Sequence, residues 1–171
     1  MDRLIEDLLD YSKVARADIH LHSVDLNTLF TELRISLAGE IDERKGRLVV
    51  QPEMPSVRGD RVLLRQALVN LISNALKFVV PGTAPEVIVT TETRSDAVRI
   101  RVQDNGMGIA REYHERLFRI FERLNPMETY PGTGVGLAIV KKAVEQMKGR
   151  LGLDSEPGRG STFWIELPPV R

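Results

Sequence analysis

Strict alternation of apolar and polar residues in one short segment limits the folds that this chain can adopt. Over residues 98–103, apolar Val, Ile and Val alternate with polar Arg, Arg and Gln. A period of two is typical of a β-strand that buries one face and exposes the other to water. Residues Glu86–Thr93 form a second candidate strand, and Arg94, Ser95 and Asp96 connect the two as a hairpin. Such a sheet needs a covering layer on one face.

Three predicted helices can supply that layer. Asp25 caps the first helix, whose apolar side chains are at positions 26, 29, 30, 33 and 37. Asp60 caps the second helix, which is strongly apolar and runs to about Phe78. The third spans Leu137 to Lys148, with Gly149 as its C-terminal cap. Further strands are predicted at Arg47–Gln51, Arg150–Ser155 and Thr162–Leu167. The sum is an α+β fold, a two-layer α/β sandwich whose mixed, mostly antiparallel sheet is covered on one face by helices.

The N-terminal 24 residues stand apart from this domain. Residues 1–16 place apolar side chains three and four apart, which predicts an amphipathic helix, and no cap or turn signal precedes it. It is either a first helix folded onto its own domain or half of a helical hairpin. Residues 17–24 have no helical period and are predicted to be a linker. The domain proper then comprises residues 25–171.

Composition excludes several classes of function. The 24 basic and 24 acidic residues balance, whereas a nucleic-acid-binding domain needs clustered Lys and Arg, so we expect no nucleic-acid partner. The chain has no cysteine and therefore no disulfide or thiolate chemistry. His20 and His22 are interpreted as linker residues and not as zinc ligands. No apolar run is long enough to span a bilayer, and we expect a soluble chain without direct membrane contact.

A polar row interrupts the apolar second helix of the domain. Asn70, Asn74 and Lys77 are spaced at i, i+4 and i+7 and project from one side of it, and Gln66 continues the row. A stripe facing solvent is one interpretation. A site for a magnesium-bound phosphate is the other, since magnesium takes oxygen ligands and an amide oxygen beside a lysine suits both groups.

Two glycine-rich turns are candidates for contact with a ligand. Asp104-Asn105-Gly106-Met107-Gly108-Ile109 follows a predicted strand and is either a surface turn or a backbone that passes close to a flat ligand, whose exocyclic amine Asp104 would bind. The second turn opens a helix, where free N–H groups attract phosphate, and reads Gly132-Thr133-Gly134-Val135-Gly136-Leu137. Its spacing and the Pro131 loop before it do not fit the dinucleotide fingerprint or a P-loop.

The long connection over residues 104–136 holds a further candidate. A short helix is predicted at 111–119, and residues 118–123 place two phenylalanines in a polar segment, which indicates either a lid or a core anchor. Near the C-terminus, Gly158–Phe163 is a glycine turn between strands, and these residues alone do not decide whether it does more.

Taken in order, these stretches resemble the motifs of the gyrase, chaperone, histidine kinase and mismatch-repair ATPases, and specifically those of the histidine kinases. "NLISNALKF" resembles the asparagine box, "DNGMGI" and "GTGVGLAIV" the two glycine boxes, "FRIFERL" the phenylalanine box and "GRGSTFWIEL" a C-terminal glycine motif. The match covers residues 25–168. The leading "MDRLIEDLLDYSKV" is similar to the end of the second helix of a dimerisation and phosphoacceptor domain, with wording close to the phytochrome-type kinases.

The resemblance implies ATP and Mg²⁺ as ligands and assigns a role to each matched residue. Asn74 would coordinate magnesium, Asn70 would support it or contact phosphate, and Lys77 would bind phosphate; Asn70 and Lys77 are the expected catalytic residues. Asp104 would bind the adenine amine. The remaining expected nucleotide-binding residues lie in the glycine turns, the phenylalanine box and the last strand: Gly106, Gly108, Ile109, Arg123, Gly132, Thr133, Gly134, Val135, Gly136, Leu137 and Thr162.

Two departures from the wider family shape the expected function. Relatives that hydrolyse ATP carry a Glu where this chain has Asn70, which fits an enzyme that holds ATP for transfer. The chain also has no His-Glu/Asp-x-x-x-Pro phosphoacceptor box. We therefore expect a cytoplasmic histidine kinase catalytic domain that phosphorylates a histidine on a separate helix of its own or a partner subunit. The parent would be a homodimer that passes the phosphate to a response regulator receiver domain.

Two other functions remain open at this point. One is a degenerate module that binds ATP for regulation without transferring phosphate. The other is an anti-sigma-factor serine kinase, which shares the ATP-binding fold but lacks the N-terminal helix and the phenylalanine box.

Overall fold

The computed structural model describes residues 2–124, 130 and 132–170. The α-helices are α1 (Asp2–Ala15), α2 (Leu26–Glu43), α3 (Arg61–Lys77) and α4 (Gly136–Gln146). The strands are β1 (His22–Asp25), β2 (Arg47–Val50), β3 (Ser56–Gly59), β4 (Glu86–Thr93), β5 (Val98–Asp104), β6 (Arg150–Ser155) and β7 (Ser161–Leu167). Two single turns of 3-10 helix, at Arg111–Tyr113 and Arg116–Phe118, stand where one short helix over 111–119 was predicted.

The main sheet confirms the predicted fold class. Its five strands are ordered β2-β4-β5-β7-β6, with β2 parallel to β4 and every other pair antiparallel. The predicted hairpin pairs Val89 with Val102 and Thr93 with Val98. The sheet is therefore mixed and mostly antiparallel.

The helices cover one face of this sheet. Inward-facing residues of β4, β5 and β7 are buried and belong to the same core as α3. Leu64, Leu68 and Ile72 of α3 are fully buried, and each contributes roughly 1.5–3 kcal/mol through removal of apolar surface from water. The other face of the sheet is polar, and the Arg99 guanidinium there stacks 3.8 Å from the Trp164 ring and pairs with Glu166 at 2.6 Å.

Both predicted N-caps are confirmed. Asp25 accepts a hydrogen bond from the Asn27 N–H, and Asp60 Oδ1 accepts from Val62 and Leu63 at 3.0 and 3.2 Å. Asp60 does more than cap α3, because its Oδ2 also accepts the His20 N–H at 3.0 Å. A single buried carboxylate thus ties the segment after α1 to the start of α3.

Three details differ from the prediction. Residues 17–24 are not all linker, because β1 includes His22–Val24 and pairs antiparallel with β3, a strand that the sequence did not reveal. The left-handed residue that ends α4 is Lys148 (φ 59), not Gly149. Gly149 follows it and donates to the Val144 carbonyl at 2.9 Å, which completes the hydrogen bonds of a Schellman motif.

Helix α1 folds onto the domain and packs along α4. Val14 is buried, and Gln146 Nε2 donates to the Ala15 carbonyl at 2.8 Å. Ile5 and Leu9 on another side of α1 are more than half exposed. Among the described residues, no helix combines the length and the apolar character needed to cross a membrane.

Candidate functional site

A cleft of about 610 Å³ opens between α3, the end of β5, the connection that follows it and the start of α4. Most of the residues selected from the sequence line it. They are Asn70, Asn74, Lys77, Asp104, Gly108, Ile109, Arg123, Gly132, Thr133, Gly134, Gly136 and Leu137. The predicted site residues that line it come from four separate stretches of sequence and therefore meet at one cavity.

The polar row of α3 forms one wall of the cleft. Asn70, Asn74 and Lys77 are half-buried and face the cavity, while the apolar positions between them enter the core. Asn70 Nδ2 lies 3.4 Å from the Gly136 carbonyl and donates to it, which joins α3 to the first residue of α4. Of the two interpretations of this row, the structure supports the one in which it faces a binding cavity.

The Lys77 ammonium lies in a partly desolvated, positively charged region. Its pKa is lowered from 10.5 to about 8, mainly by burial and also by the charges of Arg3, Arg123 and Arg44, against a smaller opposite effect from Asp7. A Cβ on Gly132 would lie 2.4 Å from Lys77 Nζ, so the ammonium occupies space that a side chain at residue 132 would need. A cluster of cations in which one pKa is depressed is a site that an anion would stabilise.

Asp104 marks the opposite end of the cleft. Its Oδ1 accepts hydrogen bonds from the backbone N–H groups of Gly106 at 2.8 Å and Ser161 at 3.1 Å. Burial raises the pKa of this carboxyl to about 6, and the two hydrogen bonds oppose that effect. The carboxylate is therefore held in a fixed orientation at a partly desolvated position, and a pKa of about 6 leaves it mostly ionised at neutral pH.

The first glycine turn is locked against the C-terminal one. Met107 donates to the Phe78 carbonyl at 3.2 Å, and Gly158 donates to the Met107 carbonyl at 2.7 Å. Gly108 has φ +73, and a Cβ there would lie 1.9 Å from the Glu156 carbonyl oxygen. Only glycine fits this position, so the Gly158–Phe163 turn, whose role the sequence left undecided, forms part of the site.

The two phenylalanines of the phenylalanine box have different environments. Phe118 packs edge-on against Phe163 at a centroid distance of 6.2 Å and so anchors the connection to the core. Phe121 is exposed, and its N–H donates to the Gly134 carbonyl at 2.8 Å. Arg123 donates to the Gly132 carbonyl and, at 2.7 Å, to the Tyr130 carbonyl. Arg123 thus lines the cleft while holding the backbone around the second glycine turn.

The start of α4 lies beside this cationic end. The helix begins at Gly136, and its N-cap Val135 provides no side-chain hydrogen bond to the first turn. N–H groups at such a terminus need acceptors, and a phosphate can supply them.

Comparison with known proteins agrees with this geometry. Residues 59–171 match the family described as "Histidine kinase-, DNA gyrase B-, and HSP90-like ATPase". The chain belongs to this family. The ATPase domain is 38% identical over 168 residues to the phytochrome-like protein Cph1 of Synechocystis, covering 98% of this chain and 22% of that protein.

Further relatives place the domain among the histidine kinases. It is 38% identical to the sensor histidine kinase GacS of Pseudomonas protegens, covering 96% of this chain and 19% of that protein. The structure of full-length ShkA in complex with AMPPNP superposes with a TM-score of 0.82 at 30% identity, covering 98% of this chain and 35% of that one. The chain is thus a histidine kinase catalytic ATPase domain that spans about a fifth of the length of these curated relatives.

Three predicted residues of the ATPase domain do not line the cleft. Gly106 contributes indirectly, because its N–H donates a hydrogen bond to Asp104 Oδ1. Val135 is fully buried in the core. Thr162 lies on the polar face of β7, because neighbouring strand residues point to opposite faces and Ser161 and Phe163 are the ones that reach the cleft. Thr162 therefore does not face the cavity, whereas its neighbour Ser161 lines it.

Helix α1 contributes cleft residues that were not expected. Arg3, Asp7 and Asp10 line the cationic end, and the Thr133 hydroxyl donates to Asp7 Oδ2. Their spacing of i, i+4 and i+7 equals that of Asn70, Asn74 and Lys77, so a polar row was visible in the sequence. Its destination was not, because nothing in residues 1–16 shows that α1 packs on α4.

Proposed function

We propose that this domain binds Mg²⁺-ATP in the cleft and presents the γ-phosphoryl group to a histidine of a dimerisation and phosphoacceptor domain. The observation that carries the proposal is the polarity of the cleft. An ionised, half-buried acceptor at Asp104 lies at one end, and Lys77, with the uncapped start of α4, lies at the other. An adenine amine can donate a hydrogen bond to the Asp104 carboxylate, and a triphosphate can bind at the cationic Lys77 end.

The donor set suits a magnesium ion held jointly with phosphate. Within the described ranges there is no group of three or more His, Cys, Asp or Glu side chains that could hold a metal. The Asn74 amide oxygen, half-buried on the cleft wall, offers one oxygen ligand, and phosphate and water would supply the others, as Mg²⁺ prefers. When bound, the ion would neutralise charge on the triphosphate.

The residues of the domain then act by positioning and charge. Lys77 would bind a phosphate oxygen as its ammonium form, and the glycines of the second turn would let the triphosphate approach the N–H groups of α4. Asn70, which replaces the glutamate of ATP-hydrolysing relatives, would contact phosphate without activating water. The γ-phosphoryl would be transferred in line to the acceptor histidine and later to a response regulator.

The domain division is part of this proposal. Residues 1–16 would be the end of the second helix of the dimerisation domain and residues 25–171 the ATP-binding domain. Residues 17–24 would connect them, with the last three residues of this connection paired to β3. Exposed Ile5 and Leu9 support a helix that has a further apolar partner.

Nucleotide binding and phosphoryl transfer test the two halves of the proposal. We expect Asp104→Ala and Asn74→Ala to abolish measurable Mg²⁺-ATP binding in calorimetry, with Asp96→Ala, an exposed acid in the β4–β5 turn, as the control that binds normally. Unchanged affinity in both site variants would refute the site assignment.

Phosphoryl transfer is tested separately. Supplying γ-labelled ATP and a separate phosphoacceptor domain should label histidine. Binding without labelling would indicate a regulatory module, and labelled serine on a partner an anti-sigma-type kinase.

A further inference from the structure

Two serines join the C-terminal strands beside Asp104. Ser155 ends β6 and Ser161 begins β7, and they are directly paired across the antiparallel ladder. Their hydroxyl oxygens lie 2.7 Å apart. Ser161 lines the cleft and donates its N–H to Asp104 Oδ1 at 3.1 Å, whereas Ser155 stands behind it.

The Ser155 hydroxyl uses its full hydrogen-bonding capacity. It accepts the Ile109 N–H at 2.8 Å and donates to the Gly160 carbonyl at 2.9 Å. A serine hydroxyl has one proton and two acceptor positions. The geometry of the serine–serine contact alone allows either hydroxyl to donate. Because the Gly160 carbonyl can only accept, we assign the single Ser155 proton to it, and Ser161 is then the donor to Ser155.

This assignment fixes the chemical character of the Ser161 hydroxyl. Its proton points away from the cleft toward Ser155, which leaves its lone pairs for the cavity. The Asp104 carboxylate beside it is also an acceptor. The end of the cleft formed by these two groups therefore presents acceptors without a free hydroxyl donor.

We propose that Ser155 is a positioning residue that holds Ser161 as an acceptor and thereby makes the cleft select purine nucleotides with a 6-amino group over those with a 6-keto group. The inference rests on the proposed function, since it requires the base to lie at the Asp104 end. A 6-amino group can donate to both acceptors, whereas a 6-keto oxygen faces lone pairs and leaves the buried groups unpaired. Without Ser155, the Ser161 hydroxyl can rotate and donate to a keto oxygen.

The test compares ATP with ITP, which carries a 6-keto group in place of the 6-amino group. The measured quantity is the ratio of the ITP to the ATP dissociation constant, obtained with Mg²⁺ for the wild-type chain and for Ser155→Ala. We expect the wild type to prefer ATP by about tenfold or more. In Ser155→Ala the ratio should fall by about fivefold, the equivalent of one reoriented hydrogen bond. A general loosening of the fold would weaken both nucleotides equally and leave the ratio unchanged.

Matched variants separate orientation from packing. Ser155→Thr keeps the hydroxyl and should restore the wild-type ratio. Ser36→Ala removes a hydroxyl bonded to Arg65, away from the cleft, and should leave the ratio unaltered. Ser161→Ala removes the oriented group itself and should also lower the ratio. Adding Ser155→Ala to that variant should then have no further effect on it, and Ser161→Ala carries the test if Ser155→Ala does not fold.

The outcomes distinguish this inference from the proposed function. If the wild type binds neither nucleotide, the proposed function is wrong. If it binds ATP but the ratio is near one, or if Ser155→Ala and Ser161→Ala both retain the wild-type ratio, the role of Ser155 is refuted while ATP binding stands.

Discussion

The two ends of the cleft are built in different ways. At the Asp104 end, the carboxylate, the first glycine turn and the Gly158–Phe163 turn are joined by short hydrogen bonds from the ends of β5, β6 and β7. At the Lys77 end, α3, α4, α1 and the connection before α4 meet through side chains, such as Thr133 with Asp7 and Arg123 with backbone carbonyls. The first end is thus part of the sheet, whereas the second is assembled from separate segments. Substitutions that only disturb packing should therefore reduce mainly stability at the first end and mainly affinity at the second.

The largest expected effect comes from Gly108→Ala. The substituted Cβ would meet the Glu156 carbonyl at 1.9 Å and the backbone would keep φ +73, so we expect the free energy of unfolding to fall by about 2–4 kcal/mol. Gly82→Ala is the matched control, since Gly82 also has positive φ (+90) but nothing within 4 Å; its loss should be about 1 kcal/mol. Chemical denaturation measures both. Equal losses would show that the Asp104 end is not rigidly packed.

The pH dependence of ATP affinity should reflect the ionisation of one group at each end of the cleft, Asp104 and Lys77. Binding needs the Asp104 carboxylate ionised and the Lys77 ammonium protonated, so affinity should decline below pH about 6 and above pH about 8, approaching a tenfold loss per pH unit. Lys77→Arg keeps its charge and should abolish the alkaline decline. Asp104→Asn cannot titrate and should leave only the acid titration of ATP itself. An alkaline decline that persists in Lys77→Arg would contradict the role of Lys77.

Asp104 also links stability to pH. Its pKa in the folded chain, about 6, lies above the unfolded value of 3.8, so the folded state holds this proton more tightly. The resulting stabilisation is present below the unfolded pKa and is lost as pH rises through about 6. Comparing the unfolding free energy of the wild type and Asp104→Asn over this window measures it; parallel pH curves would show that the carboxyl is not perturbed.

Gly136→Ala should separate affinity from stability. A Cβ at this first residue of α4 has nothing within 4 Å, so the free energy of unfolding should be unchanged or rise by up to about 1 kcal/mol. ATP affinity should fall about fivefold, because the Cβ interferes with one phosphate contact to the helix terminus. Gly39→Ala in α2, also in open space, should leave affinity unaltered. A stability loss in Gly136→Ala would argue that both ends are built alike.

The smallest expected effect is a gain in ATP affinity. Asp7→Asn removes a negative charge near Lys77 and keeps a side-chain oxygen that can accept from Thr133. ATP affinity should rise about two- to threefold at low salt and less at high salt. Asp2→Asn changes the same charge on α1 outside the cleft and should have no such effect. An equal gain in both variants would indicate a long-range charge effect unrelated to the site.

Local signals in the sequence predicted local structure well. Asp25 and Asp60 each precede an apolar helical pattern and do cap helices, and the alternation over 98–103 identified β5 and its buried face. The polar row of α3 was found because i, i+4 and i+7 spacing puts side chains on one side regardless of what they face. That this row faces a cleft depends on tertiary packing. In the sequence, only the order of the motifs along the chain indicated it.

The errors share a physical origin in contacts between distant segments. Strand β3 has four residues and is stabilised by pairing with β1. The paired residues Val24 and Val57 are 33 positions apart, and no local period in the sequence records such a contact. Thr162 lies off the cleft while Ser161 lines it, because a shift of one residue along a strand exchanges its faces. Lys148 adopts the left-handed conformation while the next residue must be glycine, since a Cβ on Gly149 would lie 2.6 Å from the Glu166 carbonyl.

A crystal structure of this chain with Mg²⁺ and a non-hydrolysable ATP analogue tests the central claim most directly. The account predicts the 6-amino group within hydrogen-bonding distance of Asp104, the triphosphate beside Lys77 and the first turn of α4, and the metal on the Asn74 amide oxygen. A nucleotide bound in the reverse direction, or outside the cleft, would contradict it.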